Sequence, residues 1–138
     1  MSYAGDVEPS DAYAALERDP RAVLVDVRTR PELVYVGHPD LGRIGKQIVA
    51  VEWQQFPTGQ VNPGFVEQLA ANGVPPDAPV FFICRSGGRS RFAAMAATAQ
   101  GYTAAYNVAH GFEGPADPSG QRGTVAGWKV AGLPWRQS

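Results

Sequence analysis

A chain of 138 residues that is 44% hydrophobic and 18% charged has the composition of one globular domain with a real core, and this excludes a disordered tail or linker. Its formal net charge of −1 excludes a chain-wide basic surface, so nucleic acid and anionic membrane are not expected partners and any basic patch is local. A single cysteine excludes an internal disulfide and suits a reducing compartment, while the opening MSYAGDVEPS has neither the basic start nor the apolar stretch of a signal peptide. No apolar run is long enough to span a bilayer. The expectation is one cytoplasmic domain over 1–138, with its core at about 6–135.

After a short lead-in, Pro9-Ser10-Asp11 starts a helix that continues to Arg18 and stops at Asp19-Pro20. AVLVDV, 22–27, is a buried strand interrupted only by Asp26. Residues 28–47 are rich in glycine, proline and charge and read as an irregular connection, followed by a strand at IVAVEW, 48–53. A second helix runs from Pro63 to Ala71 and closes at Asn72-Gly73. PVFFIC, 79–84, is the clearest strand; a helix follows over Ser90 to Gln100, capped by Gly101, and AAYNVAH, 104–110, is the last strand. Residues 111–127 show neither period and read as an ordered excursion or lid, and GWKVAGLPW, 127–135, docks back on the body. Doubly apolar strands alternating with helices predict a parallel α/β sheet, whose chemistry sits where strands end and helices begin.

Cys84 stands at such a place, in FFICRSGGRS, 81–90. A loop between a buried strand and a helix carries backbone N–H groups with no internal partner, and if it curls they converge into an anion cradle aided by the helix dipole. Gly87 and Gly88 supply the positive φ values that such a curl needs. Helix N-termini and nearby arginines favour a thiolate, which is a stored nucleophile. Arg85, Arg89 and Arg91 make the mouth locally positive, and their planar donors suit an oxyanion. The bland alternative is a small, inert core cysteine; the Arg-Ser-Gly-Gly-Arg context argues against it. Protein tyrosine phosphatases resemble this loop, but their cysteine is followed by five residues and then an arginine. Here Ser90 holds that position, with Arg89 one residue early and Arg91 one late, so the cradle is tighter and suits a single sulfur.

With VLVDVRTRPE at 23–32, the CRSGGRS loop and its alanine-rich helix, YNVAHGFEG at 106–114 and GWKVAGLPW at 127–135, the chain resembles a single-domain rhodanese over most of its length. The resemblance implies a three-layer α/β fold, a central and mostly parallel sheet flanked by helices. It implies a sulfurtransferase that needs no cofactor. Cys84 would take sulfane sulfur from a small anionic donor such as thiosulfate, or from a persulfide, and hold it as a persulfide. The cradle Arg85, Ser86, Gly87, Gly88, Arg89 and Ser90 would bind the sulfur through its amides. With no second cysteine the acceptor is external: cyanide, a thiol or a sulfur-carrier protein. Relatives of the rhodaneses include phosphatases and arsenate reductases with a loop one residue longer, and non-catalytic binding or regulatory modules; these are the alternatives. Many family members read Gly-His-Ile-Pro-Gly-Ala after the Asp-x-Arg segment, whereas this chain has the longer GHPDLGRIGKQIVAVEW, 37–53, which would reshape the rim and the choice of acceptor.

Asp26 needs a cation or hydrogen bonds if buried, and Arg28 is its nearest partner; both are supporting residues, Arg28 with a second possible role in attracting an anionic donor. His38 reads as a turn residue and His110 as a residue lining the pocket wall. One cysteine and two histidines do not compose a metal site, and GHPDLGR, 37–43, lacks the lysine and the preceding strand of a phosphate loop. Trp53, Trp128 and Trp135 read as packing residues.

Overall fold

In the computed structural model, which describes residues 2–137, the runs that are apolar on both faces become the inner strands of one parallel sheet. In chain order the elements are β1 (Gly5–Val7), α1 (Pro9–Arg18), β2 (Val23–Asp26), α2 (Arg30–Tyr35), β3 (His38–Pro39), a 3-10 turn (Gly42–Ile44), β4 (Val49–Ala50), α3 (Phe65–Ala71), β5 (Val80–Ile83), α4 (Gly88–Ala99), β6 (Ala105–Val108) and β7 (Trp135–Arg136). The five-stranded sheet has the order β1-β6-β5-β2-β4, every pairing parallel, so β5 lies at its centre and is buried along its whole length. A short antiparallel ribbon of β3 and β7 stands beside it.

Side chains that alternate along each strand feed two cores. Val25, Val80 and Phe82 face Phe65 and Leu69 of α3 and the fully buried Ala93, Ala94 and Ala97 of α4. Leu24, Phe81 and Ile83 face Ala12 and Leu16 of α1, with Phe112 and Trp128 of the C-terminal segment. Helices on both faces of the sheet give the three-layer α/β arrangement that the alternation of elements predicts. Among the described residues no helix is long and apolar enough to cross a membrane.

Several short elements depart from the sequence reading, the ribbon strands β3 and β7 among them. β1 arises in the lead-in, where three residues pair only with β6 at the sheet edge and carry no apolar run to announce them. β4 shrinks to two residues of the expected 48–53, because it too has a partner on one side only. The connection 28–47 contains α2, which buries none of its residues. It is set by its start instead: Glu32 Oε1 accepts hydrogen bonds from the Thr29 N–H at 3.1 Å and the Thr29 hydroxyl at 3.0 Å, with Pro31 in the first turn.

The excursion at 111–127 is ordered. Its outer turn is organised by Asp117, which accepts from Ser119, Gln121 and Thr124 at 2.7–3.0 Å. Those donors, the Ser119 hydroxyl foremost, lower its carboxyl to about 2. Gly123 N–H then returns to the Glu113 carbonyl at 2.7 Å, and Trp128 is fully buried, its Nε1 donating to Pro134.

Candidate active site

Cys84 follows directly on the central strand, at its carboxyl end, and is 1% exposed. Its Sγ accepts a hydrogen bond from the Gly87 N–H at 3.1 Å and lies 3.2 Å from the Ser90 hydroxyl. Gly87 has φ +107°, and a Cβ there would lie 3.4 Å from the His110 amide nitrogen, so this one position needs glycine. Gly88 does not have a positive φ; it is the first residue of α4, two residues ahead of the expected start at Ser90. The N–H groups of 88–90 therefore belong to a first helical turn and have no intrahelical acceptor. Arg91 N–H, which reaches Gly87 O at 3.3 Å, closes that turn.

The loop's outward carbonyls are held from behind. Phe112 N–H donates to Cys84 O at 2.8 Å, and the N–H groups of Glu113 and Gly114 donate to Arg85 O at 2.9 and 3.1 Å. Planar trans peptides then turn the Arg85 and Ser86 N–H groups away from that segment. The approach is so close that a Cβ on Gly111 would lie 2.4 Å from Cys84 O.

Of the three loop arginines, Arg85 and Arg91 are exposed. Arg89 is not at the mouth as a free cation: its guanidinium grips both oxygens of Glu32 at 2.7 and 2.8 Å, tying α4 to α2. Burial pushes Glu32 up, but Arg89 and the Thr29 donors outweigh it and lower its carboxyl from 4.5 to about 2. A carboxylate depressed on folding stabilises the fold fully above its unfolded value and loses that contribution as pH falls through its folded value. We therefore expect Glu32→Gln to melt below wild type at neutral pH, with the gap closing between about pH 4.5 and 2; thermal melts across that range check it.

Ser90 and Asn107 are buried together, Ser90 Oγ lying 2.5 Å from Asn107 Oδ1, and Asn107 Nδ2 donates to Asp6 Oδ1 at 2.9 Å. On the other side, Asp26 and Arg28 are both fully buried and paired: Arg28 Nη2 reaches Asp26 Oδ2 at 2.8 Å and Nε reaches Oδ1 at 3.0 Å. Nη2 also donates to Gly37 O at 2.8 Å, and the guanidinium lies 4.4 Å from the Phe112 ring centroid. Arg28 is thus an interior strut and not a donor-attracting cation, because its guanidinium is sealed from solvent. His110 (φ +68°) sits beside the loop through its backbone, but its ring is exposed and 3.6 Å from Glu8. His38 pairs in β3 instead of forming a turn, opposite Arg136. Among the described residues no three His, Cys, Asp or Glu side chains gather as metal ligands.

Glu32, Gly111, Asn107 and Asp6 went unnoticed in the sequence. Two of them carried a signal: TRPE at 29–32 has the spacing of a helix capping box, and Asn107 is a polar break in a buried strand, as Asp26 is. The segment 37–53 lines a cavity of about 550 Å³, where Ile48, Ala50 and Glu52 face Leu33 and Val34 of α2.

The sequence model of the family described as STR4 middle domain matches residues 5–138. Uncharacterized protein RC0915 of Rickettsia conorii is 38% identical over 126 residues, covering 91% of each chain. Rhodanese-like domain-containing protein 4, chloroplastic, of Arabidopsis thaliana is 29% identical over 91% of this chain and 24% of its own length. Among solved structures, Rv0390 from M. tuberculosis superposes with a TM-score of 0.91 at 50% identity, covering 99% of this chain and 100% of its own. The polysulfide-sulfur transferase homodimer from Wolinella succinogenes shares the fold, with a TM-score of 0.64 at 24% identity over 96% of this chain and 78% of its own. A chain matched from residue 5 to its end by that sequence model, with this sheet order and this cysteine loop, belongs to the STR4 middle domain family of rhodanese-like domains.

Proposed function

We propose that this chain is a sulfurtransferase that moves sulfane sulfur from thiosulfate or a persulfide to an external thiophilic acceptor through a Cys84 persulfide. The observation that carries this reading is the seat of Cys84 Sγ, against the Gly87 N–H and at the mouth of a first helical turn with free amides. In the first half-reaction the Cys84 thiolate attacks the outer sulfur of thiosulfate. A new S–S bond forms at Cys84, the old one breaks, and sulfite leaves with its electron pair. The persulfide anion is held by the amides of 86–90, which act as fixed dipoles and need no counter-charge. In the second half-reaction an acceptor nucleophile, cyanide or a thiolate, attacks the terminal sulfur, and Cys84 leaves as the thiolate. No general base is required, and the exposed His110 is not assigned one.

Two features speak for sulfur over phosphate. The position where a phosphatase loop carries its arginine is Ser90, whose hydroxyl stands 3.2 Å from the sulfur, and the adjacent Arg89 is spent on Glu32. The exposed Arg85 and Arg91 leave a local positive rim for an anionic donor.

Intact-protein mass tests the proposal. Incubation with thiosulfate is expected to add one sulfur atom, cyanide to remove it, and Cys84→Ser to show no gain. Turnover of an aryl phosphate, with thiosulfate and persulfides all failing to load Cys84, would overturn it.

A further inference from the structure

The hydroxyl of Ser90 has one hydrogen and two buried neighbours that could accept it, Cys84 Sγ at 3.2 Å and Asn107 Oδ1 at 2.5 Å. Which one receives it is settled two residues further out. Asp6, on the edge strand β1, is a carboxylate and can only accept; its Oδ1 takes the Tyr3 hydroxyl at 2.8 Å and Asn107 Nδ2 at 2.9 Å. Turning the Asn107 amide over would set its carbonyl oxygen against that carboxylate. The amide is therefore fixed with Nδ2 toward Asp6 and Oδ1 toward Ser90. An oxygen 2.5 Å away that cannot donate claims the Ser90 hydrogen, which leaves an Oγ lone pair facing the sulfur.

We propose that Asn107, oriented by Asp6, is a positioning residue that withholds the Ser90 hydrogen from Cys84 and so sets how readily the thiol becomes a thiolate. In the resting thiol the S–H donates to Ser90 Oγ. On ionisation its proton leaves to solvent base, and the Ser90 hydrogen rotates to the sulfur only by giving up the Asn107 bond. Asn107 and the sulfur thus compete for one hydrogen. The role rests on Cys84 being the reacting group, as the sulfurtransferase reading has it, but it is read out on the free thiol without any sulfur donor.

The charges around the sulfur form a background that the key variant leaves in place. Arg85, Arg89 and Arg91 come from the loop and α4, and Glu32 from α2. The Asp26–Arg28 pair comes from the end of β2 and the second residue after it, Asp6 and Tyr3 lie at β1, and His110, beyond β6, lies by Glu8, which follows β1. Among the described residues, Gly87 N–H and Ser90 Oγ are the hydrogen-bonding contacts of the sulfur itself.

The test is the rate of iodoacetamide alkylation of Cys84 from pH 5 to 10, followed by intact mass, in wild type, Asn107→Ala, Ser90→Ala and the double variant. Asn107→Ala should raise the rate at pH 7 by roughly two- to tenfold, the worth of one hydrogen bond freed for the sulfur, and move the whole profile to lower pH. In the Ser90→Ala background the same substitution should have no effect. Should Asn107→Ala unfold the sheet, the exposed Asp6→Ala tests the same point from outside the core. It frees the amide to turn and should shift the profile in the same direction, again only when Ser90 is present. An unchanged or upward-shifted profile in Asn107→Ala, or a shift that persists without Ser90, would overturn the proposal. A chain that alkylates as expected yet never loads sulfur would overturn only the sulfurtransferase reading.

Discussion

Gly111→Ala is expected to cut the rate of sulfur loading at Cys84 by about a hundredfold or more, the loss typical of reacting groups displaced by ~1 Å. The added Cβ would lie 2.4 Å from Cys84 O and 2.7 Å from Arg85 O, and both are backbone atoms that cannot swing aside. Relief requires the 84–85 peptides to move, and they carry the nucleophile. The same movement stretches the bonds from Phe112, Glu113 and Gly114 that hold the loop from behind. At φ +63° the alanine itself adds a left-handed backbone cost of about 1–2 kcal/mol. Loading followed by intact mass, beside a thermal melt, separates the two effects. Gly88→Ala is the contrast: its position is helical and open, so it should raise stability by about 0.5–1 kcal/mol. A Gly111→Ala protein that melts and loads like wild type would mean that the loop is not clamped there.

The parts of the site that came through in the sequence are those written in local pattern. PVFFIC announces a buried strand by its unbroken apolar run, and CRSGGRS announces a strand-to-helix loop by glycines placed after it. Cys84 could be located from those two facts. What stayed hidden depends on distance in the chain. The clamp joins 84–85 to 112–114, Asn107 meets Ser90 seventeen residues earlier, and Glu32 meets Arg89 fifty-seven residues later. No local period encodes which strand edge will lie beside which loop. Arg89 is the instructive case: its position beside the cysteine suggests a substrate cation, and only the fold shows that α2 supplies its carboxylate. β1 and β7 were missed for a related reason, since strands of two or three residues at an edge carry too few residues to show alternation.

Asp26→Ala is expected to destabilise the protein by about 3–5 kcal/mol, because it leaves the Arg28 guanidinium buried with no counter-charge. That is a large share of the 5–15 kcal/mol that holds a domain of ordinary size together, so the variant should be substantially unfolded in mild urea. A second change tests the cause. Breaking one partner exposes the solvation cost of the other, whereas replacing both by apolar groups removes the cost as well as the attraction. Asp26→Leu combined with Arg28→Met should therefore recover much of the loss, less two buried bonds: Gly37 O would be left without its donor, and the N–H of residue 28 without its acceptor on Asp26. Urea midpoints of the single and double variants give both numbers. The double variant should still load sulfur more slowly than wild type. Arg28 lies over the ring of Phe112, whose N–H holds the Cys84 carbonyl, so methionine restores the core without restoring the cation that fixes that ring. Full recovery of loading together with stability would mean that the pair serves the fold alone, and that the path from β2 to the loop runs through other contacts.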